Sequence, residues 1–333
     1  MSDRFDPLAA YSSGLIGCRQ DLRADEEFVD SVLRHGGNPD GGSVAYEWEF
    51  EDRGKGKLTM LFPLVEKVFP GAFPGPTQLT GDCVARATAN CLLTTLSVEI
   101  HDGQPDEVTG TIEGVPELPP EGIKQGVVAP ESLWAWRGYD SDGWICSKSA
   151  QVATTQGFLV RRPYPDLGID LTKYTEKTLR LGGSRPPPQK WLDESKKHIA
   201  RTATVVRGRE QVRDFLAAGY AVFNCSALGF DNTRNEDGVS RQVGVWHHAQ
   251  LFHSYDDRPE TVKKYGQALV GWQNSWAVWN KGPRRVMGTN IDIPHGALWA
   301  LASTIDKCSC IALSSVAGWP ARKLPDYGAR GRV

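Results

Sequence analysis

The run from Val84 to Ile100 constrains this chain more than any other segment. Ala85, Ala87, Ala89, Cys91, Leu92, Leu93, Leu96 and Val98 put apolar side chains on more than one face of a helix. A helix of that kind needs neighbours on several sides, so it is expected to be buried. It is preceded by Gly81-Asp82-Cys83, which places a thiol at its start. There the exposed N–H groups and the positive end of the helix dipole favour the thiolate, the reactive form of cysteine. Gly81 is expected to let the backbone turn tightly and to leave room for a substrate carbonyl. An isolated cysteine is more commonly a small buried apolar residue, so Cys83 needs partners before it means chemistry.

The rest of the chain divides around this helix. Asp25 is expected to cap a short helix carrying Phe28, Val29, Val32 and Leu33, and Val44 to Phe50 alternates like a strand. An apolar segment runs from Leu58 to Phe69, and Pro70, Pro74 and Pro76 then break the chain. The piece SAQVATTQG reads as a helix ending at Gly157, and Gly182 to Pro188 as a loop. Beyond it the pattern changes. Thr202–Val206, Tyr220–Cys225, His248–Tyr255, Ala268–Gln273 and Ala297–Thr304 read as strands, with a helix at Arg209–Ala218. A helical half before a strand-rich half is an α+β layout rather than a series of βαβ units. The expected division is an N-terminal extension over 1–70, read as a structural or partner-binding arm with an inhibitory pro-segment over the cleft as the alternative, a helical lobe over 71–180, a β-rich lobe over 181–320 and a basic tail over 321–333.

Bulk properties exclude several function classes. With 333 residues the chain can bury one large two-lobed core, and a net charge of -2 gives no global field for nucleic acid or an anionic membrane. No apolar run approaches the ~20 residues needed to span a bilayer. Leu15-Ile16-Gly17-Cys18 has the form of a lipoprotein cleavage box, but Asp3 and Asp6 stand where a secretory signal carries basic residues. The seven cysteines are odd in number and irregularly spaced, which suggests mostly buried free thiols in a reducing compartment or a virion rather than a secreted framework. No pair of CxxC motifs offers a metal cage, and neither a Gly-x-Gly-x-x-Gly nor a Walker loop is present. No cofactor or metal is expected.

Two further residues give Cys83 its partners. His248 opens the strand HAQLFHSY, where a rigid backbone suits a general base. Its neighbour His247 points the opposite way in a strand and cannot share that role. Asn274 lies in Gly271-Trp272-Gln273-Asn274-Ser275-Trp276. Its amide oxygen can accept from an imidazole N–H and fix the tautomer, and a nearby Trp ring can shield that bond from water. Nucleophile, base and orienter are the three parts of a thiol acyl-transfer site.

In this order, Cys on a helix start and then His and Asn on strands, the chain resembles the papain superfamily of cysteine peptidases. TQLTGDCVARATANCLL is similar to the family's glutamine-to-cysteine segment, and its Gly-Asp-Cys to that of calpains. GFLVRRPYPD, REQVRDFLAAGYAVFNCSA, HHAQLFHSYDD and VGWQNSWAVWNKGPRR resemble later family segments, so the likeness covers roughly residues 76 to 305. It implies a papain-like two-lobe fold, with a helical lobe and a central Cys-bearing helix packed against an antiparallel, β-barrel-like lobe. It also implies Cys83 as nucleophile, His248 as base, Asn274 as orienter, Trp276 as cover, and Gln78 with the Cys83 N–H as oxyanion hole. The implied activity is hydrolysis of peptide bonds in a peptide or protein.

Several positions depart from the family. Gln78 is one residue nearer the cysteine, Val84 replaces an aromatic residue, and Ala277 replaces a glycine. Trp279 comes one position early, and Asp256 to Lys264 is a charged insertion. A second reading makes the domain a structural or interaction component of a larger assembly such as a phage virion, with partners bound through the N-terminal extension. A transglutaminase-like enzyme is a third, disfavoured because Asn274 stands where that class uses Asp.

Overall fold

The computed structural model describes residues 17–19, 21, 23–28, 52–103 and 127–316. The strand expected over Val44–Phe50, the end of the first helix and the basic tail lie outside these residues. At the start of the helix over 23–28, the Asp21 carboxylate accepts from the Ala24 N–H, so Asp21 does the capping expected of Asp25.

The apolar run after the first motif forms the helix Cys83–Gly103. Its small residues Ala85, Ala87 and Ala89 are buried and allow close approach by neighbours on more than one side. Its polar residues are buried at little cost because they bond back onto the helix. Thr88, Thr94 and Ser97 donate to the carbonyls of Val84, Asn90 and Leu93 at 2.9, 2.8 and 2.7 Å. Helices Phe62–Val68, Pro130–Trp134 and Cys146–Thr155 pack around it. A 2.7 Å bond between the Thr88 and Ser149 hydroxyls joins it to the last of these.

The strands are β1 (Leu58–Met60), β2 (Pro163–Tyr164), β3 (Ile169–Asp170), β4 (Ala200–Val206), β5 (Val222–Ser226) and β6 (Phe230–Arg234), followed by β7 (Ser240–Gln242), β8 (His248–Asp256), β9 (Leu269–Gln273), β10 (Ala297–Leu301) and β11 (Cys308–Val316). Seven of them make one antiparallel sheet in the order β10-β9-β8-β5-β11-β4, with β1 paired to β8. Strands β2 and β3 form one small ladder and β6 and β7 another. This is a two-lobe α+β architecture, with the central helix against β5, β8 and β11. Part of the segment expected to be an extension is built into it, since Leu58–Met60 joins the sheet and Phe62–Val68 lies on the central helix.

Strand β8 is buried along all nine residues, on both faces. Its alternation therefore does not separate a wet face from a dry one, which explains why its sequence mixes His248, Gln250 and His253 with Leu251 and Phe252. A bulge between Phe252 and Ser254 against β9 shifts the phase of the strand. The charged insertion after β8 folds into the helix Pro259–Tyr265, which ends on Gly266 at φ 73°. Among the described residues no helix is long and apolar enough to cross a membrane.

Candidate active site

Cys83 is the first residue of the central helix and is fully buried. Its loop is held from two sides. The Gly143 N–H donates to the Gly81 carbonyl at 3.1 Å, and a methyl group at Gly81 would lie 2.7 Å from the Asp142 Cβ. Glycine is therefore required for close approach to the 142–143 loop, a different reason from the tight turn that the sequence suggested. On the other side Tyr174 accepts from the Leu79 N–H and donates to the Asp82 carboxylate at 2.9 Å. Burial lifts the Asp82 carboxyl to about 7, against the opposing pull of Arg86 and the Tyr174 bond.

The helix start meets the sheet at β8. The Ala249 N–H, in the peptide that follows His248, is near enough to the Cys83 sulfur to favour the thiolate. His248 is the first residue of β8, opposite Ser226 of β5. Its Nε2 is 2.9 Å from the Asn274 Oδ1, and both side chains are buried. Asn274 follows directly on β9, the neighbour of β8, so two adjacent strands carry the pair. The Trp276 ring stacks on the His248 ring at 4.7 Å between centroids, and Trp246 and Trp279 close around Trp276 at 4.8 and 5.7 Å. The backbone after this segment is forced: Ala277 has φ 47°, a left-handed conformation that suits glycine better than alanine.

Gln78 is buried nearby, with its amide engaged elsewhere. Its Nε2 donates to the Thr80 carbonyl at 2.5 Å, and its Oε1 accepts from the Ser275 hydroxyl at 2.8 Å. The Gln78 N–H also bonds the Ser275 carbonyl at 3.1 Å, tying this loop to the Asn274-Ser275-Trp276 segment.

Residues 17–19 lie across the nucleophile. A methyl group at Gly17 would sit 2.6 Å from the Cys83 sulfur. The Cys18 N–H bonds the His247 carbonyl at 3.0 Å, and His247 reaches this position with φ 45°. Trp144 of the helical lobe donates to the Gly17 carbonyl at 3.2 Å and accepts from the Arg19 N–H at 2.8 Å. The Arg19 guanidinium bonds the Asp142 carbonyl and the Ser141 hydroxyl and lies over the Tyr139 ring at 4.6 Å. This strap is thus bonded to both lobes. No motif in Gly17-Cys18-Arg19 singled these residues out, because three of the bonds use backbone atoms and the Arg19 side chain binds a loop far along the chain.

Burial sets the protonation states beneath the strap. The Cys83 thiol is pushed well above its usual range, chiefly by desolvation and then by Cys18, with the Ala249 N–H pulling the other way. Burial lowers His248 to about 4, against the Asn274 hydrogen bond. Burial thus favours the neutral form of both the thiol and the imidazole.

The cysteines differ from the expectation of free thiols at one pair. Cys146, at the start of its helix, and Cys225, on β5, form a disulfide between the lobes with Cα atoms 6.4 Å apart. Sequence separation hid the pairing, since 79 positions divide the two residues. The Cys18, Cys146 and Cys225 sulfurs lie within 4.8 Å of one another, and all three residues are buried. Cys83, Cys91, Cys308 and Cys310 are free.

A buried helix opening on a cysteine, packed on an antiparallel sheet that carries a histidine and its asparagine partner, is a papain-like two-lobe arrangement. No protein-family profile matches the chain, and no curated protein sequence does. Solved structures similar to it are cysteine proteases. Xylellain from Xylella fastidiosa is 14% identical over 78% of this chain and 86% of its own, with a TM-score of 0.45. The ragweed pollen allergen Amb a 11 in its proform is 11% identical over 93% and 77%, with a TM-score of 0.49. The digestive procathepsin L 3 of Tenebrio molitor is 12% identical over 92% and 86%, with a TM-score of 0.46. At these values the functional reading rests on the geometry of the site itself.

Proposed function

We propose that this protein is a cysteine peptidase in which Cys83 is the nucleophile, His248 the base and Asn274 the residue that orients it. One observation carries the reading. The imidazole is bonded through Nε2 to Asn274 beneath a Trp ring, which leaves Nδ1 to exchange a proton, while the adjacent Ala249 N–H is near enough to the thiol at the helix start to favour the thiolate.

The chemistry runs from these roles. With the strap displaced, water and the helix dipole stabilise the thiolate and His248 takes the thiol proton. The thiolate attacks the carbonyl carbon of a peptide bond, and a C–S bond forms as the carbonyl π electrons move onto oxygen. The Cys83 N–H and the Gln78 amide stabilise that oxyanion, once Gln78 releases Thr80. His248 protonates the leaving nitrogen and the C–N bond breaks, giving an acyl-enzyme. Water, deprotonated by His248, then attacks the thioester and frees Cys83. Trp276 keeps bulk water from the His248–Asn274 bond. Gly17–Arg19 occupies the ground a substrate must cross, so the covered form is a resting state.

The test is turnover of a mixed peptide library by protein freed of the strap, with a thiol-directed epoxide as trap. Cleavage that disappears on epoxide addition, with the label on Cys83, is expected. Cys83→Ala should then be inactive with an unchanged thermal midpoint. Cleavage that survives in Cys83→Ala, or an epoxide label spread evenly over the free cysteines, overturns the reading.

A further inference from the structure

We propose that Cys18 is a thiol–disulfide exchange site, by which the strap over Cys83 becomes covalently latched to the floor of the cleft at Cys146 or Cys225. This regulates the site assigned above and rests on that assignment for its consequence, although the exchange itself requires no peptidase activity.

Three observations converge. The first is composition in space: one thiol and one disulfide, from three separate parts of the chain, have all three sulfurs within 4.8 Å. Exchange requires a thiolate to approach a disulfide sulfur, and no external oxidant, because the oxidised bond is already present. The second is placement. Cys18 is flanked by Gly17, which lies over the Cys83 sulfur, and by Arg19, which is bonded to the helical lobe. A bond from Cys18 to either partner holds those neighbours where they now lie. The third is that the disulfide joins the lobes next to the site, since Cys225 pairs with Ala249 on β8 and Cys146 follows closely on Trp144.

The step balances within the chain. The Cys18 S–H loses its proton, and the thiolate attacks one sulfur of the Cys146–Cys225 bond. A new S–S bond forms, the old one breaks, and the departing thiolate takes up a proton. A small dithiol instead reduces the new bond: its two thiols become a disulfide, and Cys18, Cys146 and Cys225 are all left as thiols. The cluster also restrains the rate. Burial, and then the Asp25 carboxylate, raise the Cys18 thiol to about 12, so little thiolate exists at neutral pH. Asp25 is itself fixed by a 2.6 Å bond from the Ser147 hydroxyl, beside Cys146. Latching is therefore slow near neutrality and accelerates about tenfold per pH unit below the thiol's midpoint.

The test is peptide mapping by mass spectrometry of the full chain, kept non-reducing and quenched with acid, after incubation at pH 8 and pH 9. A peptide joining Cys18 to Cys146 or Cys225 is expected to accumulate, about ten times faster at pH 9, and to vanish after a dithiol. Asp25→Asn should speed its formation at pH 8. In chains so joined, iodoacetamide should fail to reach Cys83, and dithiol treatment should restore labelling. Three outcomes overturn the proposal: Cys146–Cys225 as the sole bond under every condition, Cys18 joined to Cys83, or three reduced thiols holding one zinc ion per chain. Because the mapping uses no substrate, an inactive protein that latches would refute the peptidase reading alone.

Discussion

His248 and Gln78 both serve Cys83 in the proposed chemistry, and the structure holds them in opposite ways. The imidazole is bonded to Asn274 and stacked on Trp276, with Trp246 and Trp279 behind that ring. It is held in one orientation in the covered state. The Gln78 amide is bonded at both ends within the protein, to Thr80 and to Ser275. The imidazole is set by two neighbouring strands of the main sheet, whereas the amide belongs to a loop. Sites built on strands are held more precisely than sites on loops, so the proposed base is fixed where the proposed oxyanion donor can shift.

Substitutions measure that contrast. His248→Ala should lower kcat by about 10⁴-fold or more, since base and nucleophile act as a unit. Gln78→Ala should lower it by about 10²-fold, the usual loss for one oxyanion donor. A Gln78→Ala enzyme with full activity would assign that donor role to another group, and a loss equal to that of His248→Ala would remove the distinction between the two sides.

Acid titration probes the same contrast through stability. His248 and His198 are lowered to about 4 and His253 to about 3, each chiefly by burial. A histidine lowered in the folded state takes up its proton on unfolding, so its contribution is present above 6.5 and is lost as pH falls toward 4. Asp82, raised to about 7, acts in the opposite direction over an overlapping range, but it is one group against three. Stability should therefore fall between pH 6.5 and 4, by up to about 3 kcal/mol for each histidine. Chemical denaturation across that range checks the sign, and His253→Gln should reduce the slope by about one proton. The smallest effect is expected at Ala277, where glycine relieves the left-handed backbone but loosens the unfolded chain. Ala277→Gly should stabilise the protein by about 0.5 kcal/mol, read from its urea midpoint.

The parts of this molecule that were legible from the sequence are those built on side-chain type and order. The central helix announced itself through apolar residues on several faces, and the pairing of His248 with Asn274 beneath Trp276 through the residue types at those positions. Five strands of the second half were legible too, with ends displaced by up to three residues, but β6, β7 and the long strand β11 of the main sheet were not. What was hidden depends on backbone atoms or on distant pairs. The strap of Gly17–Arg19 binds through N–H and C=O groups, which every residue carries, and through Arg19, whose partners at 139–142 lie far along the chain. The Cys146–Cys225 bond joins residues with no local pattern between them, and the true reason for Gly81 is the nearness of Asp142, far along the chain.

The central claim is that the Cys83 thiol and the His248 imidazole exchange a proton once the strap is displaced. Gly17→Ala should displace it, because the added methyl group would lie 2.6 Å from the sulfur. The direct measurement is the pH dependence of Cys83 alkylation by iodoacetamide in Gly17→Ala, with and without His248→Ala. Pairing predicts rapid alkylation with a midpoint at least one unit below the ~8.5 of a free thiol, rising toward that value when the imidazole is removed. Identical profiles in the two proteins, each with an ordinary thiol midpoint, would contradict it.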